Sequence, residues 1–121
     1  MIGNKGCNFE WSLNDRALTI LLKGEIDHHS AVSTRSMIDA KIYELRPINL
    51  ELDLSGIDFM DSSGLGLIMG RYALMKKIGG DFWVLNPTER ILRIFELAGL
   101  GKIIEIKNEK GDKENEGNAQ N

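Results

Sequence analysis

Ile48, Leu50, Leu52 and Leu54 alternate without a break with Asn49, Glu51 and Asp53. A two-residue period puts one set on each side of an extended chain, so this stretch is a strand with one apolar face. A polar corner follows, and from Gly64 to Ile78 the apolar residues recur at helical spacing until Gly79-Gly80 closes the segment. A strand that passes its chain to an amphipathic helix is the repeating unit of an α/β domain.

The rest of the chain supplies more of the same units. Cys7, Phe9, Trp11 and Leu13 fall on every second residue, predicting a half-buried strand, and Asn14-Asp15 is a turn signal. Leu18 to Leu22 reads as a more fully buried strand, ended by Gly24. Asp27 or Ser30 can cap a helix carrying Ile38, Ile42 and Leu45, which stops before Pro47. Phe82 to Leu85 is a short strand. Asn86 can cap the last helix, with Pro87 at its first position and Glu89 completing a capping box. That helix buries Ile91, Ile94, Phe95 and Ala98 and stops at Gly99, and Ile103 to Ile106 form a final strand. The order β-β-α-β-α-β-α-β predicts an α/β fold, with a mixed, mostly parallel sheet of about five strands and helices packed on it.

One folded domain over residues 1–106, ordered from about residue 7, accounts for this pattern. Lys107 to Asn121 has a single apolar residue, Ala119, among mixed charges, and is expected to be a disordered polar tail. Composition narrows the function classes. The net charge of −3 gives no basic surplus for nucleic acid. No apolar run is long enough to span a membrane, and the first residues lack the apolar core of a signal peptide. The lone Cys7 cannot form an internal disulfide, which fits a reducing cytoplasm.

Motifs for catalysis are absent. There is no phosphate-binding G-x-x-x-x-G-K-[ST], no C-x-x-C, no H-E-x-x-H and no G-x-S-x-G. His28 and His29 are adjacent, and neighbouring imidazoles rarely converge on one metal, so a polar turn with Asp27 capping a helix is the plainer reading and no metal site is assigned. Cys7 lacks the positive, enclosed setting that activates a thiolate.

The informative corner is Asp61-Ser62-Ser63-Gly64-Leu65-Gly66. Asp and Ser are good helix caps, and capping alone would explain them. Gly64, Gly66 and Gly70 are costly in a helix, at up to ~1 kcal/mol each against Ala, which implies a close neighbour: the domain's own sheet or a partner protein. The helix is also apolar on more than one side. Leu65, Ile68, Met69, Tyr72 and Met75 form one stripe, while Leu67, Leu74 and Ile78 point elsewhere. A hydroxyl at such a corner is a credible phosphorylation site, because a helix N-terminus tolerates the added charge while a docked partner does not.

Asp61-Ser62-Ser63-Gly64-Leu65-Gly66, preceded by Leu52-Asp53-Leu54 and Phe59-Met60, resembles the signature of the STAS family. Gly24-Glu25-Ile26-Asp27-His28-His29, Gly70-Arg71-Tyr72 and Ile94-Phe95-Glu96-Leu97-Ala98-Gly99-Leu100 match it too. The likeness covers about Phe9 to Ile106 and is nearest to the anti-sigma factor antagonists, leaning to the sporulation sigma-F branch over the general-stress branch. It implies a non-enzymatic, cytoplasmic regulator without cofactor. Its unphosphorylated form would bind an anti-sigma factor that is also a serine kinase, freeing the sigma factor, and a serine phosphatase would restore that form. The resemblance places the phosphoserine at Ser62 and implies docking by Asp27, Asp61, Ser63, Leu65, Gly66 and Met69, with no direct contact to nucleic acid or membrane. Two other readings are a nucleotide-binding relative, which no phosphate-cradling motif supports, and the cytoplasmic piece of an anion transporter. A chain that starts at Met1 and ends in a polar tail is expected to be whole.

Overall fold

The chain opens with a hairpin. β1 (Cys7–Asn14) and β2 (Ala17–Ile26) pair antiparallel, and Asn14 faces Ala17 across a loop of Asp15 and Arg16. Asp15 takes a left-handed φ of 60°, which aspartate tolerates better than most residues. The elements that follow are α1 (His28–Leu45), β3 (Asn49–Met60), α2 (Ser62–Lys77), β4 (Asp81–Leu85), α3 (Glu89–Ala98), a 3₁₀ turn at Leu100–Lys102 and β5 (Glu105–Lys107). These come from a computed structural model, which describes residues 6–109.

The sheet has the order β1-β2-β3-β4-β5, and every pairing after the hairpin is parallel. Parallel neighbours need a crossover, and crossovers are right-handed. Three successive right-handed crossovers, each stepping the same way across the sheet, put all three helices on one face. The burial follows. Leu18, Ile20, Leu22, Leu50, Leu52, Leu54 and Val84 are buried against Ile38, Ile42, Ile68, Met75, Ile91 and Phe95 from the helices. The alternate residues face water and form a polar transect across the strands. Thr19 Oγ1 donates to Glu51 Oε1 at 2.7 Å, Trp83 Nε1 donates to Glu51 Oε2 at 3.0 Å, and Lys107 Nζ lies 4.0 Å over the Trp83 ring. One face covered and one wet explains the strict alternation of β3.

Several boundaries differ from the sequence expectation. β2 runs on past Gly24, which sits at φ 114° beside an irregularity in the β2–β3 register. β3 continues through Met60, because the chain past Asp53 still has β2 to pair with. Asn86 does not cap α3. It adopts φ 54° and its amide donates to Asp53 Oδ2 at 3.3 Å, while Thr88 Oγ1 accepts from the Ile91 N–H and is the cap. Ile103 lies in the turn before β5 and is exposed. β5 includes Lys107, the first residue of the expected tail, and residues 110–121 lie outside the described residues. Phe9, Trp11 and Leu13 do point to the helix side but remain about two-fifths exposed, because α1 lies over β2 and reaches β1 only along its margin.

Candidate functional site

β2 and β3 end together. Ile26 pairs with Met60, and the Asp61 N–H donates to the Ile26 carbonyl at 3.2 Å. The first turns of α1 and α2 therefore start side by side at the carboxyl edge of the sheet, the usual place for a site in an open α/β domain. This brings together Asp27 and Asp61, which are far apart in sequence.

Each helix begins on an aspartate. Asp27 Oδ1 accepts from the His29 and Ser30 N–H groups, both at 2.9 Å, and the Asp27 N–H donates in return to Ser30 Oγ at 3.0 Å. The Ser30 hydroxyl itself donates to the Glu25 carbonyl at 2.8 Å. Asp27 and Ser30 thus form one reciprocal capping box rather than being alternative caps. The Ser30 N–H, followed by further bonds from Ser30 and His29, holds the Asp27 carboxyl below the usual carboxylate range. In α2, Asp61 Oδ1 accepts from the Ser63 N–H at 2.8 Å, so Asp61 is the cap.

That assignment leaves Ser62 unexplained by capping. It occupies the first helical position, exposed, and its hydroxyl makes no hydrogen bond among the described residues. Ser63 is half-buried one residue further on.

The three glycines divide. Gly64 is buried against the sheet, where a Cβ would overlap Met60 Cγ and crowd Ile26, so its close neighbour is the domain itself. Gly66 and Gly70 have nothing within 4 Å of a Cβ position and line a groove of about 340 Å³ between α1 and α2. Across from them stand Ala31, Val32 and Arg35 of α1, and Val32 is 60% exposed. Sequence reasoning missed these three. Their only signal is that Ala31 and Arg35 follow the Asp27 cap at four-residue steps, one face of a helix.

The expected exposed stripe of α2 is less open than its composition implied. Leu65, Met69 and Tyr72 are half-buried against the core, and Leu67 belongs to the buried face with Gly64, Ile68, Arg71 and Met75. Beneath the groove, Arg71 Nε lies 3.0 Å from Asp39 Oδ1 of α1, a contact of charges off the line of a hydrogen bond. Burial lowers the Arg71 pKa and Asp39 opposes that shift.

The remaining candidates stay apart. His28 and His29 are exposed in the first turn of α1 rather than in a loop, and no group of three potential metal ligands exists among the described residues. Burial pushes the Cys7 thiol up, away from a reactive thiolate. No described helix is long and apolar enough to cross a membrane.

Residues 8–112 match the model of the STAS domain. The chain is 38% identical over 89 residues to the anti-sigma F factor antagonist of Paenibacillus polymyxa, covering 74% of this chain and 76% of that protein. It is 33% identical over 96 residues to the anti-sigma-B factor antagonist of Listeria monocytogenes, covering 78% and 82%. Among solved structures it is similar to the unphosphorylated anti-sigma factor antagonist SpoIIAA, with a TM-score of 0.72 and 28% identity over 89% of this chain and 95% of that one. It is also similar to the phosphorylated form of the Bacillus protein, with a TM-score of 0.66 and 28% identity over 89% and 98%.

Proposed function

Because this chain belongs to the STAS domain family, we propose that it is an anti-sigma factor antagonist switched by phosphorylation of Ser62. The unphosphorylated chain binds an anti-sigma factor that is also a serine kinase, and the sigma factor is released. The relatives named for this activity support the first part, and a neighbour solved in both phosphorylation states supports the second. The observation that carries the reading is the exposed Ser62 hydroxyl, set at the first position of α2 beside a cap that does not use it.

The chemistry follows from that position. The kinase transfers the γ-phosphoryl group of ATP, so that a bond forms between Ser62 Oγ and phosphorus, the bond to ADP breaks and the serine proton leaves. The product carries about −1.5 to −2 charges. The N-terminal end of α2 favours an anion by ~0.3–1 kcal/mol, so the fold accepts it. An interface over the same corner does not, because the phosphate would have to shed water next to the Asp61 carboxylate. The docking surface in this reading comprises Asp27, Asp61, Ser63, Gly66 and the accessible edges of Leu65 and Met69, with Val32 across the groove. A serine phosphatase removes the phosphate and resets the switch. The chain itself catalyses nothing and works in the cytoplasm of a spore-forming bacterium. The likeness to an anti-sigma-B antagonist supports a second assignment, to a general-stress pathway with the same logic.

Incubation with the host's anti-sigma kinase and ATP, followed by intact mass and peptide mapping, tests this. One phosphate on Ser62 is expected, and none in Ser62→Ala. Ser62→Ala should keep binding the kinase, and Ser62→Asp should weaken it. A folded chain left unmodified by a kinase active on another antagonist would refute the switch. If Leu65→Ala and Met69→Ala both bind as the parent does, the docking surface is misplaced.

A further inference from the structure

The two edges of the sheet are finished differently. β5 is three residues long and carries Glu105 and Lys107. A short, charged edge offers an incoming strand little to pair with. β1 is eight residues long and has β2 as its one partner strand among the described residues. It contains no Pro, Lys or Arg, and its single charge, Glu10, is held by Lys23 Nζ at 2.8 Å. Among the described residues, the features that normally protect an edge are missing from it. On its helix side, Phe9, Trp11 and Leu13 form a partly uncovered apolar stripe beside α1.

From these features we propose that β1 pairs antiparallel with the β1 of a second copy about a two-fold axis, joining two five-stranded sheets into one. Such an axis is perpendicular to the sheet and preserves its faces, so it must pass through a residue position, with helix-side residues opposite helix-side residues. Charge and the length of strand paired together select the register. An axis at Glu10 would set that carboxylate against its own counterpart, which is unfavourable. An axis at Ser12 would pair only Glu10 to Asn14. An axis at Trp11 pairs Asn8 to Asn14, with Trp11 against Trp11, Phe9 against Leu13, Glu10 against Ser12 and Asn8 against Asn14. Every helix-side pair is then apolar, and no like charges meet.

The spacing agrees. The two β2 strands would lie three strand steps apart, about 14 Å. The α1 helices above them need about 8–10 Å for direct packing, and the paired Phe9-Trp11-Leu13 stripes fill the difference. The axis reverses strand direction, so the two Ser62 corners sit at opposite ends of the joined sheet, both open to a partner.

Sedimentation equilibrium of the full chain, from micromolar to millimolar, tests this. The mass should rise towards twice the 13.6 kDa of one chain. Ser12 is exposed on the water side of the sheet, so its variants leave the core alone. Ser12→Glu places a carboxylate opposite Glu10 twice per dimer and should weaken association about threefold to tenfold. Ser12→Lys should strengthen it by a similar factor. A monomer at every concentration would overturn the proposal and leave the edge to a different chain. A dimer indifferent to the sign of the charge at position 12 would overturn it as well.

Discussion

Gly64 and Gly66 sit two residues apart in α2 and differ in what a side chain would meet. At Gly64 a methyl group collides with Met60 on the strand below, whereas at Gly66 it points into open groove. Gly64→Ala should therefore destabilise the fold by about 1–3 kcal/mol through overpacking. Gly66→Ala should stabilise it by up to ~1 kcal/mol, the helix-propensity difference. Urea midpoints of the two variants check both signs. In sequence these glycines look alike, because which one faces the sheet depends on the rotation of the helix about its axis. The Asp61 cap and the spare Ser62 hydroxyl were nearer to legible. An Asp-Ser-Ser run at a strand-to-helix corner must contain one cap and leave a residue over, and the structure decides that the cap is the aspartate.

At the scale of elements, the contact between α1 and α2 rests partly on the Asp39–Arg71 pair. Arg71 is almost fully buried and Asp39 keeps about a third of its surface in water. Asp39→Ala would leave a buried guanidinium without its counter-charge and should cost about 2–3 kcal/mol, less than a fully buried pair because water still reaches the site. The double variant Asp39→Leu with Arg71→Met should recover most of that loss, and a double-mutant cycle in urea measures it. Nothing in the sequence announces a pair between two separate helices, since no local period links the positions. The α3 cap shows the opposite difficulty. Asn86 reads as the cap in sequence, but its amide reaches Asp53 on β3 instead, and Thr88, two residues on, caps the helix. By contrast, the apolar face of α1 and that of β3 from Leu50 to Leu54 were legible because each buries one side on a single layer, although Ile48 lies before the strand and is exposed.

For the molecule as a whole, the proposed switch at Ser62 should act on binding and leave stability nearly untouched. The phosphate would sit in water at a helix end that favours it, so phosphorylated and unphosphorylated chains should unfold within ~1 kcal/mol of each other. Urea denaturation of both forms, beside kinase binding measured on the same preparations, would separate the effects. A large loss of stability would mean that the corner is remodelled rather than merely charged. The architecture as a whole was readable from the order of its periods: after one hairpin, each strand but the last is followed by a helix, and right-handed crossovers then leave few arrangements open. The exposure of β1 was not readable, because alternation reports which side a residue faces and not how far the helix above it extends.

Strand order and chain order coincide in this sheet. No strand has to be inserted between two that are already in place, and each one adds to the margin left by its predecessor. A chain emerging amino-terminus first from the ribosome can therefore lay down its sheet in the order of synthesis, hairpin first, then one strand with its crossover helix at a time. β5, three residues long, is the last strand to be added, which makes assembly a directional process with a short final step.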